Sequence, residues 1–414
     1  MAALTLANLN DVAKEVYRPS RLKSLALAKR PLLNWLSKTE KMGGQGYVVP
    51  IWYENPQSVG ASLSAVITNQ ENTRQERFFV SDDEFCAMYG VVAMEGKALL
   101  GTRSDMFAYM KGKDMQVQGM ISQLGKRLHE SLYGDGNGYL AAIGSITNAN
   151  PAVITFTNKS DVNFFGVGME LVADDTATGA SPRDSGASYT VEKIDRSAGT
   201  ITLDANAVTT SSWAANDYLF VEGDNGTTYA KVTGLAGWLP LSSPSTSDSF
   251  FTVNRSLNAT RLAGHRIDSS GQEIKQSLHQ LVTRIAEGEA GNPDTIFIHP
   301  LAGDVLADQL GSKAETLKYG QKGEMEFSGF RLNHFICGPM DFIYDYACPV
   351  NRAYALRKDT WELLHMGDLP HLVQDDGNVA LRGSTTDDIQ IRGRWFAQLV
   401  CNNPGANGVC SISI

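Results

Sequence analysis

A chain of 414 residues, 43% hydrophobic and 20% charged, is long enough for two or three domains with sizeable cores. A formal net charge of −9 argues against a dedicated nucleic-acid binder, and no run of 18 apolar residues offers a transmembrane helix. The first twenty residues lack the basic start and apolar block of a secretory signal. The five scattered cysteines (Cys86, Cys337, Cys348, Cys401, Cys410), never in a CxxC pair, read as reduced thiols rather than a disulfide scaffold or zinc site.

Residues 1–43 read as a partly helical N-terminal arm. Up to residue 41 it carries eight basic and three acidic side chains, +5 against −14 for the remainder. This is either a solvated arm or one turned toward a polyanion, and Lys14, Arg18, Arg21, Lys23, Lys29 and Arg30 are the candidates for the second role. After Pro31, the residues Leu32, Leu33, Trp35 and Leu36 form an apolar knot suited to docking on another segment or subunit.

Residues 44–95 read as a long two-stranded excursion. GYVVPIWYE goes out and RFFVSDDEFCAMYGVVAME returns, both rich in aromatic and β-branched residues. The polar stretch 55–76 between them shows no core face, so the hairpin is expected to fold back or reach onto a neighbour. Trp52, Tyr53, Phe78 and Phe79, with Leu32, Leu33 and Trp35, are bulky side chains on protruding segments. They are candidates for inter-subunit anchors, the alternative for each being an ordinary local cluster.

Residues 96–146 are dominated by SDMFAYMKGKDMQVQGMISQLGKRLHESLY at 104–133. It contains no proline, and Met106, Met110, Val117, Ile121, Leu124, Leu128 and Leu132 recur at helical spacing. Ser104 and Asp105 suit its start, and the glycine-rich GDGNG from Gly134 suits its stop. Gly112, Gly119 and Gly125 each weaken it by about 1 kcal/mol relative to Ala, which predicts a backbone passing close by. Residues 134–146 read as a tight glycine turn.

At 147–233 helical periodicity vanishes. Short strands are predicted at 153–157, 169–173, 188–195, 200–204, 217–223 and 228–232, with a hairpin turn at 197–199, as for a small inserted barrel or sandwich. Residues 234–350 begin as a loop-rich return and become α/β. Ile274, Leu278, Leu281, Val282 and Ile285 line one helix face, a strand follows at 294–299 and a helix at 301–310, with strands at 330–336, 340–346 and 352–357. Residues 351–414 supply return strands, ending in the alternating 387–404.

Chemistry-bearing motifs are scarce. GDGNG lacks the Lys-Ser/Thr of a nucleotide loop, and no GxSxG, HExxH or EF-hand pattern occurs. His365 and His371, the Asp375-Asp376 and Asp387-Asp388 pairs, and Cys348 are weak candidates. DDG is first a turn, and Cys348 reads as a small buried apolar residue. No catalytic residue, cofactor or metal is predicted.

The order of parts resembles the major capsid protein of tailed bacteriophages with the HK97-type fold. The arm, the hairpin 44–95, the spine-type helix 104–133, the run GQEIKQSLHQLVTRIAEGEAGNPDTIFIHPLAGDVLADQLG and the late DTWELLHMGDLP…STTDDIQIRGRWFAQLVC carry the resemblance. It implies an α+β chain of arm, extended loop, peripheral domain on the spine helix and axial domain, here with an inserted all-β domain at 147–233. It also implies a non-catalytic coat protein whose hexamers and pentamers close an icosahedral shell around phage double-stranded DNA, assembled in the host bacterial cytoplasm. The implied partners are further copies of the chain, a scaffolding protein, a portal, a decoration protein and, non-specifically, the packaged DNA, with no membrane. Two departures matter. No Lys lies between Met42 and Gly96, so a lysine cross-link from the extended loop is not expected. The short stretch before the hairpin favours uncleaved assembly with a separate scaffolding protein.

Overall fold

The computed structural model describes residues 30–40, 45–55, 58–68, 73–95, 106–226, 231–269, 271–288, 290–310, 316–317, 329–334, 337–373, 380–382 and 388–413. The chain enters through helix α1 (Pro31–Trp35), whose proline occupies the first turn, where a missing N–H costs nothing. Strands β1 (Ser37–Glu40), β2 (Gly46–Glu54), β3 (Arg74–Ser81) and β4 (Cys86–Glu95) follow, with the short helix α2 (Leu63–Thr68) between β2 and β3. The predicted return strand of the hairpin is thus two strands. A Ser81/Glu84 capping box at the 3-10 turn Asp82–Glu84 breaks it, and β4 leaves the hairpin for another sheet.

Helix α3 (Met106–Ser131) is the predicted spine. Val117, Ile121, Leu124, Leu128 and Leu132 are all buried, as their spacing requires. It lies across a five-stranded sheet of β1, β17 (Trp361–Leu372), β19 (Asp388–Cys401), β18 (Ala380–Arg382) and β4, in which β4 pairs antiparallel with β19. Close approach is made by glycines of the sheet, and of the helix glycines Gly119 makes none. Gly90 and Gly393 face each other in register. A Cβ on Gly90 would come within 2.8 Å of Met120 Cγ, and one on Gly393 within 3.0 Å of Met120 Cε. The two bare positions form a notch that seats Met120. Gly119 is exposed, and a Cβ there would meet nothing within 4 Å.

After α3 the chain builds a closed, wholly antiparallel barrel. Its strands are β5 (Ala141–Ile146), β6 (Val153–Phe156), β7 (Glu170–Asp174), β8 (Ser188–Asp195), β9 (Thr200–Leu203) and β10 (Tyr218–Val221), in the order β10-β5-β6-β9-β8-β7. The β8–β9 turn is as predicted, with Asp195 Oδ1 accepting from Ser197 and Ala198 N–H and Gly199 at φ +73°. Two expectations change. The stretch AAIGSI, read as turn, is the barrel strand β5. Its Gly144 sits where a Cβ would fall 2.7 Å from Thr157 N. The strand expected at 228–232 reaches the described residues only at Lys231 and Val232, which are not strand. The barrel interior is filled by its own side chains, among them Phe156 stacked on Phe165 and Tyr189 edge-on to Trp213.

The second large sheet has seven strands in the order β11-β20-β16-β12-β15-β14-β13. They are β11 (His265–Ile267), β12 (Thr295–Ile298), β13 (Thr316–Leu317), β14 (Gly329–His334), β15 (Gly338–Tyr344), β16 (Arg352–Leu356) and β20 (Gly408–Ser411). Helices α4 (Ile274–Glu287) and α5 (Pro300–Leu310) flank it, and all five predicted apolar residues of α4 are buried. The late residues serve both sheets: β16 and β20 return into this one, β17 to β19 into the other.

Candidate assembly surface

The hairpin alternates with period two, and the alternation sorts its side chains into an inner and an outer face. Val49 pairs in register with Phe78, and Tyr47 with Val80. Val49, Ile51, Phe78 and Val80 are buried in the main core, where Phe78 meets Trp238 edge-on at 5.0 Å. Phe79 N–H donates to Phe251 O at 3.1 Å and fixes the hairpin base to the body. The hairpin therefore folds one face back onto the main core, one of the two outcomes expected of it.

Its outer end is different. Trp52 is 73% exposed, and at the tip Val59, Leu63 and Ile67 are 89%, 75% and 61% exposed. Leu63 and Ile67 are one helical turn apart on α2, which has no buried residue at all. Isolated exposed hydrophobics need no explanation, but an apolar row on an extension two strands wide does. Val59, Leu63 and Ile67 were not among the predicted anchors. The i, i+4 spacing in LSAVIT was the available signal, hidden in a stretch otherwise polar.

The predicted anchors divide. Leu32, Leu33 and Phe78 are at most 2% exposed within the subunit, so they have no surface to offer a neighbour. They are core residues, because α1 folds back onto the body. Trp35 is half-buried, edge-on to Phe297 at 5.2 Å, with Nε1 donating to Thr295 Oγ1 at 3.2 Å; it too packs inside the subunit. Tyr53 and Phe79 are half-buried, and Tyr53 O accepts from Asn258 Nδ2. Trp52 alone of the seven stands mostly in solvent.

Of the basic candidates, Lys14, Arg18, Arg21, Lys23 and Lys29 lie outside the described residues. Arg30 is buried, and its Nη2 donates to Ser122 O at 2.5 Å. It clamps the end of the arm to the spine helix rather than facing a polyanion. Two residues on, Leu32 N–H donates to Asp345 Oδ2 at 3.3 Å. The same buried carboxylate accepts from Tyr133 OH at 2.8 Å and Ala347 N–H at 3.0 Å, and pairs with His129 Nε2 at 2.8 Å. Burial works to raise the Asp345 carboxyl, but His129, the Ala347 amide and the Tyr133 hydroxyl hold it below its ordinary value. Arm, spine helix and second sheet thus meet at one carboxylate that pattern reading did not single out.

The weak chemical candidates take structural positions. His365 Nδ1 contacts Gly367 O at 2.6 Å, and His371 accepts from Arg394 Nε at 2.9 Å. Cys348 is buried, and burial pushes its thiol well up. Asp375, Asp376 and Asp387 lie outside the described residues. Among the described residues no three His, Cys, Asp or Glu side chains converge as a metal site would require, and no helix is long and apolar enough to cross a membrane.

No protein-family model and no curated protein matches the chain. Among solved structures, the capsid asymmetric unit of cyanophage A-1(L) matches with a TM-score of 0.51 at 9% identity, over 92% of each chain. A structure from Mycobacterium phage Adephagia covers 100% of this chain and 99% of its own at 11% identity and TM-score 0.41. The holo-SrpI encapsulin complex from Synechococcus elongatus PCC 7942 gives 93%, 88%, 10% and 0.45 for the same quantities. On the match to the cyanophage capsid, and with its hairpin, spine helix and two sheets in the expected order, the chain has an HK97-like capsid-shell fold.

Proposed function

We propose that the chain is a major capsid protein whose hexamers and pentamers close an icosahedral shell around a phage double-stranded DNA genome. The observation that carries this reading is the apolar tip Val59, Leu63 and Ile67, left exposed beyond a hairpin whose strands pack one face on the main core. Covering each such side chain is worth about 1.5–3 kcal/mol. That is modest against the ~4–15 kcal/mol cost of bringing two bodies together, so one tip does not make a stable dimer. Repeated around a closed shell, where every subunit both gives and receives a tip, weak contacts add by multivalency. The protein works by burial, not catalysis.

In this reading the hairpin of β2 and β3 is the extended loop, β4 and α3 with β17 to β19 the peripheral domain, and the seven-stranded sheet the axial domain, β5 belonging to the inserted barrel. The part of the arm before residue 30, with Lys14, Arg18, Arg21, Lys23 and Lys29, faces the packaged DNA through non-specific, salt-dependent contacts. Between 141 and 221 the barrel carries nine acidic and four basic side chains, which suits a face turned away from a polyanion and open to a decoration protein. A scaffolding protein and a portal complete the set of partners, and the protein resides in the virion after assembly in the host cytoplasm. Electron microscopy of the purified protein tests the reading. Closed shells are expected; tubes or rings would mark a tail component, and a persistent monomer would remove the structural role.

A further inference from the structure

Between the barrel and the end of the spine helix lies a half-open cavity of about 340 Å³. Its walls come from α3, the glycine linker after it, the barrel turn Lys159–Phe164 and the second sheet. Three cations line it, and each has an acidic neighbour. Arg127 is 3.1 Å from Glu130, Lys231 is paired with Asp224, and Arg352 lies within electrostatic reach of Asp135. Asp161, on the barrel side, has no such cation. It is half-buried, its side-chain partner is Asn158, and burial pushes its carboxyl up to about 6. Tyr139 lines the same cleft as that carboxylate, and its ring meets Tyr218 edge-on at 5.2 Å. Phe164 closes the same wall.

We propose that this cleft binds an alkylammonium or guanidinium group, with Asp161 as its counter-ion and the rings of Tyr139 and Tyr218 as its walls. A partly desolvated carboxylate without a counter-ion is costly, and a cation brought beside it in a cleft is held more strongly than at an open surface. Aromatic faces add attraction for a diffuse organic cation. A metal ion fits less well, since among the described residues no three acidic or imidazole ligands converge. The volume is at the small end of ligand pockets and matches a cation on a short carbon chain. This chemistry is shared by a small free amine and by a lysine or arginine side chain of another protein copy.

The test uses the full chain at pH 8, where Asp161 is ionised, titrated calorimetrically with n-butylammonium, n-butylguanidinium and neutral n-butanol. Both cations are expected to bind and butanol not. Asp161→Asn, nearly isosteric and checked to unfold cooperatively at no lower a temperature than wild type, is expected to weaken both at least tenfold, and Tyr139→Leu to weaken them less. Assembled particles are then treated with a water-soluble carbodiimide, which joins a carboxylate to an adjacent amine as an amide. An Asp161–lysine link between copies identifies a side chain as occupant, and coupling only to added butylamine identifies a small cation. Equal affinity in the Asn variant, equal binding of butanol, or neither cation binding with no amide formed at Asp161, overturns the proposal.

Discussion

The barrel and the hairpin are both antiparallel β structures from one chain, and they treat their apolar side chains in opposite ways. The barrel closes, so every strand has two neighbours, and Ile154, Leu171, Val191, Ile201 and Leu219 bury within it. The hairpin has two strands only. Its base borrows the main core through Phe78 and Val49, and its tip buries nothing. A closed element satisfies itself within the subunit, whereas an open one with an apolar end is complete only when something covers it.

That contrast is breakable, beginning with its largest expected effect. Leu63→Asp combined with Ile67→Asp is expected to abolish particle formation while leaving subunit unfolding within about 0.5 kcal/mol of wild type, as suits exposed positions. Denaturant titration checks the second half. Asp345→Ala attacks the joint of arm, spine helix and second sheet. It strips the acceptor from Leu32 N–H, Tyr133 OH and His129 together and is expected to cost about 3–5 kcal/mol, read as a lowered unfolding midpoint. Leu171→Ala in the barrel should cost about 3 kcal/mol through an unfilled cavity, with assembly intact at low temperature. A barrel variant that stops assembly without destabilising the subunit would erase the contrast.

Smaller effects sharpen it. Asp161 in the folded chain titrates at about 6, above its ordinary 3.8, because burial disfavours the charged form. Its contribution to stability is full below about pH 4 and lost as the pH rises through about 6. Asp161→Asn should therefore flatten the stability profile between those values and gain on wild type at pH 8, measured by thermal unfolding across pH. Smallest is Gly119→Ala on the open face of α3. A methyl there meets nothing within 4 Å, so the variant should be more stable by about 1 kcal/mol or less through helix propensity.

Much of the fold was legible because its signals are local. The 3.6-residue spacing of Val117 to Leu132 and of Ile274 to Ile285 marks two helices, and the strands at 188–195 and 200–203 alternate around an Asp-to-Gly turn. AAIGSI at β5 carries little β-branched character, and its pairing with β6 and β10 decides its conformation. The assembly surface is less legible in the sequence for a related reason. Leu32 and Trp52 look alike as bulky residues on protruding segments, yet α1 folds back onto Asp345 and the spine while β2 runs on outward. Which of them meets solvent depends on contacts as distant as Leu32 to Asp345, and no local pattern encodes those.

The claim that the hairpin tip completes itself on another subunit is tested most directly by sedimentation velocity of wild type beside the Leu63→Asp, Ile67→Asp double variant under identical assembly conditions. The tip account predicts a fast-sedimenting closed particle for wild type and only small, folded species for the variant. Particles of equal size and yield from both proteins would contradict it.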